Sequence, residues 1–223
     1  MRKTFLTSIA LLVSGLAVGQ TFYGPTTYVQ ASDSPFWGIS GLLIEDAEDH
    51  LFDDLIGATC NFTRLSSSFG TSLIDSVDAD DGVINGASND GGNPAHYGEA
   101  FWRSGSMTIT FGNGGAPLPT YAGLVWTDGS GTITFEAFGA GHVSLGTVVG
   151  NHADGNFQGG TAEDRFYGVH FAAGIESMTI SNPSGIEVDH VQAVYSPVPE
   201  PTTLALAGLA LGAAARRVRR RKR

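Results

Sequence analysis

The sequence predicts an all-β fold. Between residues 20 and 196, short segments alternate apolar and polar residues, while apolar residues at helical spacing are nearly absent. Turn-forming residues separate these segments, and the chain contains 31 glycines. Eight or nine strands in about 175 residues are typical of a two-sheet antiparallel sandwich of jelly-roll type, which manages its strand edges by stacking sheets.

The clearest strand is predicted at residues 106–111, where Met107, Ile109 and Phe111 share one face and hydroxyl side chains share the other. This alternation is typical of a strand that is buried on one side only. Residues 121–126 and 132–138 predict a hairpin, because a Gly-rich turn separates them. Further strands are predicted at residues 26–30, 36–44, 142–149, 166–171, 175–180 and 186–194.

Two stretches predict no strand. Residues 45–56 combine apolar and acidic positions in a pattern that fits a helix or, equally, a short surface turn. Residues 66–98 are rich in Ser, Asp, Asn and Gly, and we expect a long loop or an elaborated hairpin there. No internal repeat and no linker divides the body, so residues 20–196 predict one domain.

The N-terminal residues 1–19 predict a signal peptide that is read by the export translocon. Two cations, Arg2 and Lys3, precede an apolar run that predicts a helix, and small residues stand at Ala17 and Gly19. We expect cleavage between Gly19 and Gln20. A buried N-terminal helix is the structural alternative.

The C-terminal residues 197–223 have three parts. The triplet Pro199, Glu200 and Pro201 is extended, since proline disfavours helix there. Residues 202–215 follow as an apolar helix of 14 residues, and Lys or Arg then fills seven of the last eight positions. Such a helix reaches about 21 Å, against a hydrocarbon core of about 30 Å, so it is a marginal membrane anchor. The cations stay on the cytoplasmic side, which leaves the body outside.

This tail resembles the PEP-CTERM sorting signal of exported bacterial proteins, which has the same three parts in the same order. The resemblance implies recognition by an exosortase-type membrane protease at Pro199, Glu200 and Pro201. It further implies removal of the helix and basic tail, and delivery of the body to the cell surface or to extracellular polysaccharide. An ordinary tail anchor is the alternative, and both interpretations place the body outside the cytosol.

The charge distribution limits the kinds of partner that the body can bind. Between Lys3 and Arg216 lie three cations and all 22 carboxylates, a net charge of −19. Such a body repels phosphate, which argues against nucleic acid and anionic membranes as partners and leaves cations or neutral ligands. One cysteine, Cys60, excludes a disulfide framework, and we expect it to be a small buried packing residue.

A dense acidic run covers residues 45–54, and hard carboxylate oxygens suit calcium. The body resembles jelly-roll carbohydrate-binding modules and laminin-G-like domains, in which acidic residues of the first and last strands meet at a structural calcium. This resemblance rests on residues 43–46 and 185–191. It implies Glu45, Glu48 and Asp189 as calcium ligands. A solvated acidic face is the alternative.

Glycan binding needs flat aromatic faces, and three tryptophans are available. Trp102, which follows the polar loop that holds Tyr97, is the better ligand candidate together with that tyrosine. Trp126 is expected in the core because it follows an apolar strand, and Trp37 is expected to pack beside Phe36.

Catalytic signatures are missing from the sequence. It contains no G-x-S-x-G and no H-E-x-x-H motif. Glu136 has Thr134 and Phe138 where sandwich-type glucanases carry further carboxylates. The sequence therefore predicts a non-enzymatic, exported surface or matrix protein that binds calcium and glycans, and a secreted carbohydrate-active enzyme is the alternative.

Overall fold

A computed structural model describes residues 19–28, 30–47, 51–65, 100–153, 155 and 163–195. Residues 1–18, 66–99 and 196–223, on which the predictions of a signal peptide, a long loop and a sorting tail fall, lie outside the described residues. Within the described residues the fold is all-β, as predicted, and helix is limited to short 3-10 segments, among them Ala31–Asp33 and Asn113–Gly115. The strands are β1 (Thr21–Thr27), β2 (Leu42–Glu45), β3 (Thr59–Cys60), β4 (Arg64–Leu65), β5 (Phe101–Thr110), β6 (Tyr121–Gly129), β7 (Ile133–Gly139), β8 (Val143–Gly150), β9 (Arg165–His170) and β10 (Ile175–Val194).

All ten of these strands belong to one antiparallel sheet. Its main order is β1-β9-β6-β10-β5-β3; β2 and β7 also pair with β10, β8 pairs with β7, and β4 pairs with β5. Backbone hydrogen bonds therefore connect all ten strands into one continuous sheet. The expected division into two separate sheets is not confirmed.

A bend in β10 folds this sheet over. Residues 177–181 of β10 lie between β5 and β7, while residues 186–188 lie between β5 and β6, and the register shifts between Ser181 and Gly185. The N–H of Ile175 donates to Pro119 O (2.9 Å), and the N–H of Thr120 donates to Val194 O (2.8 Å). The two ends of one 20-residue strand thus meet the same dipeptide. We call that side of the molecule the open end, and residues 181–185 the bend.

The two arms that the bend creates enclose the main core. The first arm contains β7 and β8, and the second contains β6, β9 and β1. Phe135 of the first arm contacts Phe22 and Tyr167 of the second, with ring centroids 6.4 and 5.9 Å apart. Strand β7 alternates strictly between buried and half-buried residues, which is the pattern of a strand with one face on a core.

A second, smaller core covers the opposite face of the second arm. Tyr28, Phe36, Val125 and Phe166 are fully buried there. Phe36 reaches the sheet because Gly168 leaves room: a Cβ on this glycine would lie 2.9 Å from the Phe36 ring and 2.7 Å from Phe166. The segment that follows β1 is therefore fixed on the sheet by an aromatic cluster.

A directional chain of buried hydrogen bonds holds the same segment. Ser34 Oγ donates to Gln192 Oε1 (2.6 Å), and Gln192 Nε2 donates to the Tyr28 hydroxyl (3.2 Å). Tyr28 lies 2.8 Å from His190 Nδ1. Burial raises the pKa of Tyr28, so its hydroxyl stays protonated, and this hydroxyl shares a hydrogen bond with the His190 ring. Buried polar groups need such partners, so this chain fixes how the segment docks on β10.

Three predictions about local structure are wrong. Strands β6 and β7 do not form a hairpin: each pairs with β10, along successive halves of its length. The expected strand at residues 36–44 begins only at Leu42, after turns, and residues 175–180 and 186–194 form one strand rather than two. For residues 45–56 the sequence predicts a helix or, equally, a short surface turn: their described part contains no helix, and after residue 50 it forms bends and a turn, in agreement with the second alternative.

We predict that Gly168→Ala destabilises the protein by about 1–3 kcal/mol, because the added methyl group overpacks the Phe36 and Phe166 rings. The matched control is Gly139→Ala on β7, where a Cβ would lie no closer than 3.2 Å to its neighbours. Urea denaturation of both variants measures the difference. Equal stability of the two variants would contradict the assignment of Gly168 to the aromatic slot.

We also predict a pH dependence that originates at His190. Burial lowers the pKa of this histidine from 6.5 to about 3. A folded-state pKa below the unfolded one contributes stability that is complete above pH 6.5 and is lost as the pH falls toward 3, by an amount on the order of a few kcal/mol. His190→Gln should therefore flatten the dependence of the unfolding free energy on pH in this window.

The measurement compares denaturation curves of wild type and variant between pH 7 and 4. Carboxylates that titrate in the same range act in both proteins, so the difference between the two slopes isolates the histidine. His142→Gln, which changes an exposed histidine stacked on Phe138, is the control. Parallel curves for wild type and His190→Gln would overturn the prediction.

Candidate functional site

The candidate site lies where β2 ends and the chain turns away from the sheet. Glu45 pairs with Val191 of β10, and its side chain is only 1% exposed. This pairing of the acidic segment with the last strand is the one that the sequence resemblance implied. Directly after it, Ala47 takes a positive φ of 65° and turns the chain back. Glu45 is thus a carboxylate fixed at the edge of the core.

Two backbone groups hold this carboxylate. The N–H of Ala47 donates to Glu45 Oε1 (3.3 Å), and the N–H of Asp54 donates to Oε2 (3.0 Å). Burial raises the pKa of Glu45 to about 7, although both hydrogen bonds act in the opposite direction. The neighbouring charges of Asp54 and Asp46 raise it further. A nearby cation would oppose this effect, because it favours the ionised form.

Three carboxylates converge at this point. Ligand oxygens of Glu45, Asp46 and Asp54 all lie within 4.8 Å of one another, and the three side chains are buried, half-buried and exposed respectively. The group therefore runs from the core to the surface. Oxygen donors at this spacing fit a hard cation such as calcium, which takes six to eight oxygens and accepts irregular geometry. Main-chain carbonyls or water would supply the remaining ligands.

The structure brings together a different set from the one that the sequence resemblance implied. Of the expected ligands, Glu45 belongs to the group and Glu48 lies outside the described residues. Asp189 is fully buried, accepts the N–H of His190 at Oδ1 (2.6 Å) and is not a member of the group. Asp46 and Asp54 take the other two places. Both belong to the acidic run. Asp46 follows Glu45 directly, whereas Asp54 joins the group because the loop returns to Glu45.

The aromatic candidates for glycan binding differ in how far they are buried. Trp126 is fully buried, as predicted. Trp102 is half-buried, and its indole covers the bend: a Cβ on Gly185 would lie 2.9 Å from Trp102 Nε1. Its suggested partner Tyr97 lies outside the described residues. The expectation for Trp37 is wrong, because this side chain is 57% exposed while the neighbouring Phe36 fills the small core.

The remaining candidates, Cys60 and Glu136, have surroundings that indicate packing and hydrogen bonding within the fold. Cys60 is half-buried and packs against the main core, and burial raises the pKa of its thiol to about 12. The thiol therefore stays protonated at neutral pH, as expected of a packing residue. Glu136 lies on the half-buried face of β7, where it accepts a hydrogen bond from Ser144 Oγ (2.6 Å).

The described chain ends at the open end of the fold. Tyr195 is the last described residue, and its hydroxyl donates to Ile56 O (2.9 Å). The preceding residue, Val194, is buried between β2 and β6. No helix in the described part of the chain is long and apolar enough to span a bilayer.

Comparison with known proteins adds one finding. A search of curated proteins found no match to this chain. A family model of the PEP-CTERM protein-sorting motif matches residues 197–221, which include Pro199, Glu200 and Pro201. The match covers the tail and none of the sheet. The chain thus carries a PEP-CTERM protein-sorting motif, at the position where the order of its proline triplet, apolar run and basic cluster predicts one.

Proposed function

We propose that this protein is exported, held in the membrane by residues 202–215, and processed at its tail by an exosortase-type protease. The observation that carries the proposal is the sorting-motif match at residues 197–221. The predicted signal peptide at the other end supplies the route out of the cytosol. The processed body then acts at the cell surface or in extracellular polysaccharide, in a non-enzymatic role.

The fold is compatible with such a cut. The last strand ends at Val194, and the motif match begins at residue 197. Every backbone hydrogen bond of β10 thus lies upstream of the matched segment. A protease that cuts within the tail removes none of the ten described strands, so we expect the body to keep its fold after release.

We predict that changing Pro199, Glu200 and Pro201 together to alanine blocks processing in a host that contains an exosortase. The precursor then keeps its helix and basic tail, and its mass exceeds that of the processed protein by roughly 25 residues. Mass spectrometry of protein recovered from the cell envelope measures this difference. Val198→Ala, one residue before the triplet, is the control and should be processed normally.

Two results would count against the proposal. Wild-type protein that is recovered with its full tail would exclude processing. Wild-type protein that stays in the cytosol would exclude export altogether.

We further propose that Glu45, Asp46 and Asp54 hold a structural calcium ion. The spacing of their oxygens supports this assignment, as does the negative charge of the body, which attracts divalent cations outside the cell. A cation here would tie the turn after β2 to the returning loop at residue 54. Calcium would then stabilise the fold near the point where the last strand ends.

Calcium should raise the melting temperature of the purified protein by several degrees relative to a chelator. A ligand at a hundred times its Kd contributes about 2.7 kcal/mol, and each kcal/mol corresponds to roughly 2–4 °C for a protein of this size. Asp46→Asn combined with Asp54→Asn should abolish the shift. Asp53→Asn changes an exposed neighbouring carboxylate outside the group and should keep it. An equal shift in all three proteins would exclude this site, and no shift in wild type would exclude calcium.

A further inference from the structure

The open end of the fold carries three of the large apolar side chains that are exposed to solvent. Ile56 is 48% exposed, and its carbonyl accepts the Tyr195 hydroxyl. Val143 is 62% exposed and pairs with Gly139, which in turn pairs with Ile175 at the start of β10. The exposed apolar surface at this end therefore surrounds the point where the tail leaves.

Trp37 directly follows Phe36, which lies toward the same end. Phe36 contacts Tyr121 with ring centroids 5.4 Å apart, and Tyr121 pairs with Val194, the last residue of β10. Val149 provides the contrast: it is 52% exposed, but it pairs with Thr134, which faces Ser181 at the bend. Strand β8 thus places one exposed valine at the open end and one at the opposite side of the molecule.

The tail limits how far the open end can be from a membrane. Six residues lie between Tyr195 and Thr202, where the apolar run begins, which makes seven residue-to-residue steps, and an extended chain spans at most about 3.6 Å per step. The open end therefore lies within about 25 Å of the bilayer whenever the run is inserted. The apolar run itself, at about 21 Å, is shorter than a hydrocarbon core of about 30 Å. None of its residues is therefore available to lengthen the connection between the open end and the bilayer.

We propose that the open end is a lipid-contact surface, on which Trp37, Ile56 and Val143 enter the headgroup region of a zwitterionic bilayer. Tryptophan favours this region because its ring is apolar and its N–H is polar. The charge of the surface selects the lipid: Asp54 and Glu176 lie beside Ile56 and Ile175, and the body is strongly acidic, so anionic headgroups are repelled. The proposal rests on the proposed function, since the tail is what brings this end to the bilayer.

Tryptophan fluorescence tests the contact directly. The full chain is reconstituted through its tail into phosphatidylcholine vesicles, with or without bromine on the upper part of the acyl chains. Brominated lipid should reduce the emission of wild type, and Trp37→Phe should lose that reduction. Trp126 is fully buried and Trp102 covers the bend, so neither should report lipid. Trp37 is largely exposed, so its replacement leaves the fold intact.

The two valines of β8 provide a matched pair. Val143→Ser, combined with Ile56→Ser, should weaken the quenching of Trp37, whereas Val149→Ser should leave it at the wild-type level. Co-flotation with the vesicles separates the two proposals. A chain that fails to float contradicts anchoring by the tail and thus the proposed function.

A chain that floats without any quenching of Trp37 contradicts the lipid-contact surface alone. Quenching that is equally strong in Trp37→Phe has the same consequence. A reduction of Trp37 emission that requires vesicles containing the processing protease would assign this surface to the protease and would overturn the lipid proposal.

Discussion

The bend in β10 is the constraint on which the rest of the structure depends. A strand of 20 residues whose two ends meet one dipeptide must turn sharply, and a turn interrupts the ladder hydrogen bonds. Side chains replace them at the bend: Asn182 Nδ2 donates to Gly185 O (3.2 Å), and the N–H of Ser130 donates to Ser184 Oγ (2.8 Å). Pro183 fits between these groups because it has no N–H that would need a partner. The neighbouring strands bend at the same level through glycines with positive φ, Gly105 in β5 and Gly129 in β6.

The bend also determines where the candidate sites lie. Strand β2 adds to the half of β10 that follows the bend, so Glu45 is placed beside the last residues of the fold. The carboxylate group and the exit of the tail are therefore close in structure, although about 150 residues separate them in sequence. A cation at Glu45, Asp46 and Asp54 would stabilise the part of the molecule to which the tail is attached. Anchoring and cation binding would thus act on one end of the sheet.

Local patterns predicted the strands, but they could not predict strand partners. Met107, Ile109 and Phe111 alternate with hydroxyl residues, and this signal depends on one strand alone. The glycine-rich connection after β6 signals a change of direction, and a hairpin is the commonest outcome. Here the connection instead carries the chain past the bend, to the other half of β10. Similarly, the sequence predicts that Trp37 packs beside Phe36, whereas only the Phe36 ring is buried. Which ring is buried depends on the space at Gly168, which belongs to a strand about 130 residues away. The acidic run predicted Glu45, but the return of the loop at Asp54 is a tertiary feature that no spacing rule shows.

The central position of β10 links folding to the proposed export route. This strand pairs with β2, β5, β6 and β7. Until residues 175–194 are present, β2 therefore has no partner in the described sheet, and β5, β6 and β7 each keep one edge open. In a protein that crosses the membrane from its N-terminus, those residues are the last part of the body to emerge. Pairing between distant segments is slow, and unpaired strand edges aggregate.

The tail follows directly after β10, so its insertion would hold the chain at the membrane just as the central strand becomes available. An anchor that retains single molecules at this moment separates their open edges while the sheet closes. In this way a sorting tail that follows the last described strand would also favour correct folding.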